Sequence, residues 1–198
     1  MPPSCPRIRL LITALLLALP ALASLRAQDP NIIKAAYLRN ALNFADWPNG
    51  TFPSRNSPFI LGLAGQEDEL ETSLRLAFGQ LNFRIQNRAV QIRVFKNAGG
   101  LAEAVGKEGV RACQALFIPA TFKADYPFWI KAAGNHPILL ISDDASFTDQ
   151  GGALSLLPSP KQKGRFIYNI QLKHLRVRRL RFNKEFLRIR SSIKVISK

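Results

Sequence analysis

Few side chains in this sequence have the types and spacing that nucleophilic or metal chemistry needs. The two histidines, His136 and His174, do not have metal-ligand spacing, and the two cysteines form no cluster. Cys113 and His136 could form a nucleophile–base pair. Cys113, however, opens an apolar run that predicts a buried strand, and no flanking signature indicates an activated thiol. We therefore interpret Cys113 as an inert buried side chain, with pairing between chains as the alternative.

Two adjacent carboxylates, Asp143 and Asp144, follow a predicted buried strand, at the end of the strand where α/β proteins bind ligands. They could act there as a general acid and base, or one of them could cap a turn or helix. Gly151-Gly152 could place backbone N–H groups near a ligand, or make the turn into the next strand. The Gly-Leu-Ala-Gly segment at 62–65 lacks the rest of a dinucleotide or phosphate loop. No catalytic constellation results, so we predict neither an enzyme nor a cofactor or metal site.

The elements that position these residues follow from the periodicity of apolar side chains. An amphipathic helix is predicted over 31–46, with Asn31 as its N-cap, and Trp47-Pro48 must end it. A further helix begins near Glu67, and others are predicted over 101–110 and 128–133. Strands are predicted over 58–65, 83–95, 115–118 and 137–142, with a hairpin over 153–157 and 165–168. This order predicts a single layered α/β domain with a largely parallel sheet, helices on its faces and a C-terminal hairpin plus helix.

The net charge of +15 is concentrated near the C-terminus. Residues 28–160 carry 12 basic and 12 acidic side chains, whereas residues 161–198 carry 13 basic side chains and one acidic, Glu185. Apolar residues recur through this basic region: 177–182 is typical of a short strand, and Asn183 could cap a helix that starts at Lys184 and includes Ile193. The region is therefore either a solvated face or a docking surface for an anionic lipid, a polysaccharide or an acidic protein.

The first 27 residues have the features of a secretory signal peptide. Arg7 and Arg9 precede an uncharged Leu-rich run, and cleavage is predicted after Ala23 or Ala27. The apolar run is shorter than the about 20 residues of a spanning helix, so a retained membrane anchor is the less favoured alternative. We thus expect residues 28–198 to form one exported, periplasmic domain. An exported chain does not normally meet nucleic acid, so we expect no nucleic-acid partner.

The sequence resembles the YfiR family, also called DUF4154, in a series of short motifs. The family opens with a Lys-Ala-Ala-Tyr-Leu helix that runs into a Trp-Pro corner, directly after a signal peptide. The matching segments, in order, are 34–38 with 44–48, 59–65, 113–118, 138–143, the turn 147–152, and Arg165-Phe166 with Asn169. They cover nearly all of the mature chain, and their shared order makes the resemblance specific.

The resemblance implies a small periplasmic α/β protein without catalytic activity. The best-known member of the family represses a membrane diguanylate cyclase by acting on its periplasmic sensor region. One departure concerns redox control, because the family often carries a cysteine in the strand before Gly65 that pairs with the one matching Cys113. Gly62 occupies about that position here, so we expect no internal disulfide.

The leading hypothesis is a regulator that binds the periplasmic part of an inner-membrane signalling protein, such as a cyclase, kinase or receptor. Trp47 is either a core anchor or an exposed aromatic contact. One alternative is an envelope-binding module that uses its basic face on anionic lipid or polysaccharide, and another is an enzyme that uses Asp143, Asp144 or His136. A homodimer is left open. The candidate partner contacts are Asp46, Trp47, Gly151, Gly152, Arg165, Asn169, Arg176, Arg178, Arg179 and Arg181.

Overall fold

The structure is a computed structural model that describes residues 29–189 and 192–196, so the predicted signal peptide lies outside the described residues. Its helices are α1 (Pro30–Asn43), α2 (Asp68–Arg75), α3 (Ala98–Glu108), α4 (Tyr126–Ala133), α5 (Leu172–Val177) and α6 (Lys184–Leu187). Its strands are β1 (Ala45–Asp46), β2 (Phe59–Ala64), β3 (Val90–Phe95), β4 (Ala115–Ile118), β5 (Leu139–Ser142), β6 (Leu154–Pro158), β7 (Phe166–Gln171), β8 (Arg181–Phe182) and β9 (Ile193–Ile196).

Seven strands form the central sheet, in the order β3-β2-β4-β5-β6-β7-β9. The first five of these are parallel to one another, β7 runs antiparallel to β6, and β9 is parallel to β7. A separate ladder pairs β1 with β8. The predicted α/β architecture with a largely parallel sheet and a hairpin is therefore confirmed.

Both faces of the sheet are covered, which explains why its central strands are continuous apolar runs. All four residues of β4 and all four of β5 are buried. On one face, α1 and α2 close a core around Leu38, Leu61 and Phe117. On the other, α3 and α4 close a second core around Leu116, Leu140 and Trp129. The sheet therefore lies between two layers of helices, with one hydrophobic core on each face.

Helix α1 differs from the prediction at both ends. Its N-cap is Asp29, whose carboxylate accepts the backbone N–H of Asn31 at 2.8 Å, so the predicted cap Asn31 lies in the first turn. Pro30 suits the first helical position because its missing N–H needs no partner there. The helix ends at Asn43 rather than at Asp46, because Ala45–Asp46 extend to pair with β8.

The basic region folds differently from the prediction. The strand predicted over 177–182 is wrong for most of its length, because Leu172–Val177 form α5 and only Arg181–Phe182 are extended. Asn183 does cap α6, its side chain accepting the N–H of Glu185 at 2.8 Å, but this helix ends at Leu187. The predicted continuation to Ile193 is replaced by β9, since pairing with β7 satisfies its backbone.

The strand predicted over 83–95 is also shorter in the structure, where it covers Val90–Phe95. Asn82, Gln86 and Asn87 have positive φ angles of 49°, 50° and 62°, which belong to turns and not to strands. The alternation of apolar residues therefore extends the predicted strand through a turn that interrupts it.

Cys113 is fully buried, as predicted, and burial raises the pKa of its thiol to about 12. Gly62 lies directly against it, because a Cβ at Gly62 would stand 3.2 Å from the Cys113 sulfur. The place that the family resemblance assigns to a second cysteine thus lies in β2, in contact with Cys113 of the segment that precedes β4. The disulfide is absent because the sequence has glycine at position 62, and the position itself is close enough to Cys113.

We expect Gly62→Cys to form a disulfide with Cys113 on oxidation, because the side chains face each other at a separation a disulfide can bridge. The ends of Leu116 and Phe95, at 2.9 and 3.0 Å from the new Cβ, must shift slightly. The measurement is the number of thiols that react with a thiol reagent in denaturant, and oxidation should make both thiols unreactive. Gly62→Cys combined with Cys113→Ser is the control and keeps one thiol; two reactive thiols after oxidation of the single variant would contradict this placement.

Candidate functional site

The short β1–β8 ladder brings together two groups of residues that are far apart in the sequence. Ala45 faces Phe182 and Asp46 faces Arg181, and the N–H of Asn183 continues the pairing to the carbonyl of Phe44 at 2.9 Å. The side chains of Asp46 and Arg181 are both exposed. The predicted Asp46-Trp47 corner and part of the predicted basic face are therefore neighbours.

A cavity of about 580 Å³ opens beside this ladder, and we name it the corner groove. Val177 is 50% exposed at the groove, and Arg179 and His136 are also exposed. None of the lining residues is acidic. They are Pro48, Asn49, Gly50, Thr51, Val110, Asn135, His136, Pro137, Val177 and Arg179.

Arg179 adopts a left-handed backbone conformation, with φ at 57°. It follows the C-terminus of α5, where the N–H of Leu180 returns to the carbonyl of Leu175 at 2.9 Å. Glycine is the usual residue at such a position, and a side chain there costs roughly 1–2 kcal/mol. An arginine that keeps this conformation at the rim of a groove is a candidate functional residue.

Trp47 is anchored where the groove meets the core. Its indole N–H donates to the carbonyl of Gln114 at 3.1 Å, and its ring meets Phe59 edge-on at 5.3 Å between centroids. It is partly buried and packs against the first core. The position of Trp47 therefore fixes the direction of the chain entering Pro48–Thr51.

Gln114, which sequence reasoning did not select, joins the starts of three strands. Its side-chain oxygen accepts the N–H of Ile60 at 2.7 Å, and its amide nitrogen donates to the carbonyl of Val110 at 2.9 Å. Its own carbonyl accepts the N–H of Leu139 at 2.9 Å as well as that of Trp47. The only signal in the sequence is a glutamine at the start of an apolar run.

Arg88 fastens the loop that follows the groove. Its guanidinium donates to the carbonyls of Ser54, Arg55 and Ser57 at 2.8, 3.0 and 2.8 Å. It also lies 4.0 Å from the ring centre of Phe52, a cation–π contact. One side chain thus replaces regular secondary structure in holding this loop.

The remaining predicted arginines divide between surface and interior. Arg176 is exposed, like Arg179 and Arg181, whereas Arg178 is only 4% exposed. Desolvation by burial lowers the pKa of the Arg178 guanidinium. Arg178 is therefore not available on the basic face to which its neighbours belong.

The other predicted contacts lie outside the corner groove. Gly152 is buried against Phe147, whose ring would overlap a Cβ at that position. Gly151 has a φ of +111° in the same turn, which makes a glycine necessary there. Asn169 faces Ser155 in the β6–β7 ladder, and Arg165 is exposed at the end of that hairpin. The sequence-predicted residues therefore do not form one continuous site.

The carboxylates considered for catalysis hold loops in place. Asp143 pairs with Lys34 at 2.7 Å and accepts the N–H of Ala120 at 2.7 Å. Asp144 caps a short helical turn; partial burial alone would raise its pKa, but hydrogen bonds from Ser146 and the nearby Lys123 hold the pKa below its ordinary value. Among the described residues no cluster of three or more His, Cys, Asp or Glu side chains could hold a metal ion.

The crevice where an open α/β sheet usually binds ligands is filled by a side chain. The strand order reverses between β2 and β4, so this crevice lies beyond Gly65, directly after β2. A Cβ at Gly65 would overlap the ring of Phe122, and Gly65 has a φ of +76°. The corner groove lies at the opposite, amino-terminal edge of the parallel strands.

The chain is thus an α/β domain with an open groove at the amino-terminal edge of its sheet. The family model DUF4154, described as YfiR/HmsC-like, matches residues 31–190, so the chain belongs to this family and the resemblance found in its motifs is confirmed. The family consists of periplasmic regulators that are generally not enzymes and that act with membrane signalling proteins. Membership of the family supports, in general terms, a role as a periplasmic regulator.

Among solved structures, the chain is similar to a conserved domain protein from Vibrio cholerae O1 biovar El Tor strain N16961, with a TM-score of 0.54 and 10% identity. The match covers 84% of this chain and 60% of that one, so this chain spans less than two thirds of its length. This likeness concerns the fold alone. No curated protein matches the chain. None of the helices in the described ranges has the length and hydropathy of a transmembrane span.

We expect Gln114→Leu to lower the free energy of unfolding by more than Trp47→Phe does. Gln114→Leu leaves two backbone groups, at Ile60 and Val110, without partners, at a cost of about 1–3 kcal/mol each. Trp47→Phe removes one hydrogen bond, worth about 1 kcal/mol, from a carbonyl that Leu139 still satisfies. Urea unfolding followed by circular dichroism measures both, and equal losses would contradict the central role of Gln114.

Proposed function

We propose that this protein docks on the periplasmic part of an inner-membrane signalling protein, a cyclase, kinase or receptor, through the corner groove. Where the partner is a diguanylate cyclase, docking represses it and so lowers cyclic di-GMP. The observation that carries the proposal is the make-up of the groove: exposed Val177 lies beside Arg179, and the lining contains no carboxylate. A partner segment with an apolar side chain flanked by acidic residues fits this surface.

The rigidity of the groove supports a docking role. Gln114 holds Trp47, and Arg88 holds the loop that follows Pro48–Thr51, so the walls on this side are ordered before a partner arrives. A preorganised surface loses less conformational entropy on binding. Tryptophan and arginine are also the residues that most often dominate the binding energy of interfaces.

The role of positive charge at the groove can be tested by comparing a charge reversal there with an equal charge reversal elsewhere on the surface. In a strain lacking the gene, we expect Arg179→Glu with Arg181→Glu to fail to restore the wild-type cyclic di-GMP level. Lys161→Glu with Lys163→Glu makes the same change in net charge at exposed positions of the β6–β7 loop, and should restore it. An unchanged cyclic di-GMP level on deletion of the gene would reject the cyclase as partner, and full restoration by the groove variant would reject the groove.

Docking itself is measured separately, by photo-crosslinking in cells. A photoreactive amino acid placed at Val177 should give an adduct in the inner-membrane fraction, whereas one at Lys161 should not. Adducts from both positions would indicate contact with the envelope surface in general and favour the alternative, an envelope-binding module. Ten exposed basic side chains within residues 161–189 and 192–196 support that alternative, since each can add about 1 kcal/mol near an anionic membrane surface.

Arg179→Gly separates stability from docking. We expect it to raise the free energy of unfolding by about 1 kcal/mol, because glycine adopts the left-handed conformation without strain. The same variant should lose the Val177 crosslink, because a groove cation is removed. Chemical denaturation and the crosslinking assay give the two readings. A more stable protein that crosslinks normally would show that Arg179 serves no docking function.

A further inference from the structure

A second cavity, of about 630 Å³, lies between the start of α1 and the turn of the β6–β7 hairpin, and we name it the hairpin groove. It is lined by Pro30 and Ile33 of α1, by Pro158 and Phe166 at the ends of β6 and β7, and by the turn residues 163–165. Pockets that bind small molecules measure about 300–1,000 Å³ and are mostly apolar, with a few polar groups. The hairpin groove has this size, and its composition decides what it can bind.

The body of the groove is apolar. Ile33 lies in the first turn of α1, and Pro158 pairs with Phe166 where the two strands meet the turn. The Phe166 ring packs against Tyr37, one helical turn further along α1, at 5.4 Å between centroids. The side chains of Ile33, Pro158 and Phe166 have no hydrogen-bonding atom. A polar ligand segment would lose its hydrogen bonds to water here without replacing them, so the groove favours an apolar ligand body.

The rim of the groove is basic. Lys163 and Arg165 are both exposed in the turn, and among the described residues neither forms an ion pair. No lining residue is acidic. The carboxylate of Asp29, at the start of α1, instead accepts the N–H of Asn31 at 2.8 Å and the hydroxyl of Ser73 at 3.0 Å. The positive charge at the rim therefore remains available to an anionic group.

The two walls of the groove are held separately. In the turn, the N–H of Ser159 donates to the carbonyl of Arg165 at 2.7 Å, and the N–H of Arg165 donates to the carbonyl of Gln162 at 3.2 Å. Within residues 29–189 and 192–196 no hydrogen bond joins this turn to α1. The walls are joined below the groove, where the Tyr168 hydroxyl donates to the Tyr37 carbonyl at 2.9 Å. An alkyl chain can therefore enter between them without breaking a hydrogen bond.

We propose that the hairpin groove binds a free single-chain anionic amphiphile. Its alkyl chain lies between α1 and the hairpin, and its carboxylate or phosphate binds Lys163 and Arg165. The guanidinium can hold such a group through two parallel hydrogen bonds, and the ammonium adds a second positive charge. Fatty acids and lysophospholipids have this chemistry. The ligand needs both parts, because the walls of the groove offer only apolar contact and the rim only positive charge.

The first test measures the charge requirement by titration calorimetry of the purified protein with laurate below its micelle concentration. We expect Lys163→Glu with Arg165→Glu to weaken binding about tenfold or more. Lys173→Glu with Arg176→Glu makes the same change in net charge at exposed positions outside both grooves, and should bind like the wild type. Absence of laurate binding by the wild type, or equal binding by the two variants, overturns the proposal.

The ligand series separates the parts and the sources of the amphiphile. Laurate should bind roughly tenfold more tightly than decanoate, because two further methylenes are buried. The cationic dodecyltrimethylammonium should bind about tenfold more weakly than laurate or less tightly still. Lysophosphatidylglycerol below its micelle concentration compares a phosphate with a carboxylate head group, and binding of either supports the proposal. Binding only to phosphatidylglycerol vesicles, with none to the free amphiphiles, overturns it.

The second test locates the ligand. A fatty acid with a diazirine in its chain should label segments 30–37 and 158–166, as mass spectrometry of the peptides would show, and excess laurate should suppress the label. Ile33→Trp fills the groove and should reduce this labelling about tenfold, with circular dichroism verifying its fold. Phe128→Trp enlarges a side chain that is 63% exposed outside the groove and should leave the labelling unchanged. Laurate-sensitive labelling of other segments in the wild type overturns the proposal.

Amphiphile binding and partner docking are separable, because the hairpin groove and the corner groove share no lining residue. Arg179→Glu with Arg181→Glu, which should fail to dock, should bind laurate like the wild type. Lys161→Glu with Lys163→Glu, which should dock normally, should bind laurate more weakly because one rim cation is reversed. Loss of laurate binding in the first variant, with binding retained in the second, would place the amphiphile in the corner groove and overturn this inference while leaving the docking proposal in place.

Discussion

The hydrogen bonds of Gln114 are the constraint on which the amino-terminal edge of the sheet depends. An apolar residue at this position would pack equally well but would leave the Ile60 N–H and the Val110 carbonyl unsatisfied. With glutamine, β2 and β4 start in register and the turn that follows α3 is attached to them. Because the carbonyl of the same residue also accepts from Leu139 and Trp47, the third strand and the aromatic corner are held at one point.

The position held by Gln114 also determines where part of the basic region lies, although this region is distant in the sequence. Trp47 follows β1, and β1 pairs with β8, so the segment around Arg181 is attached to the frame that Gln114 holds. The stack of Phe44 on Phe186, with centroids 5.2 Å apart, buries the apolar side of this attachment. The sequence places the positive charge only within 161–198. The structure gives two of these basic residues, Arg179 and Arg181, defined positions beside the corner groove. Arg178, buried among them, shows that charge in a basic segment does not by itself indicate a surface.

The sequence-based predictions are accurate for elements that a local pattern determines, and they fail for elements that pairing with a distant strand determines. Strand β4 is predicted to the residue, because a run buried on both faces is apolar throughout and turns bound it. Residues 177–182 and Ile193 are mispredicted because Val177, Leu180 and Ile193 satisfy helical and extended patterns alike, and pairing with β1 and β7 selects the extended form at 181–182 and at Ile193. The site is predicted in parts. Asp46 and Arg181 are both selected, but their proximity depends on a two-residue ladder that no local pattern indicates.

The two ends of the parallel strands differ in what their surfaces offer. Open parallel sheets bind substrates at the carboxyl ends of their strands, and there this chain has placed the Phe122 ring on Gly65 and engaged Asp143 with Lys34. Groups that could act on a substrate are used to fix loops. The amino-terminal edge, in contrast, carries an open groove with a strained arginine and an exposed valine. The proposed docking rests on this groove, and a docking surface fits the regulatory role that the family supports in general.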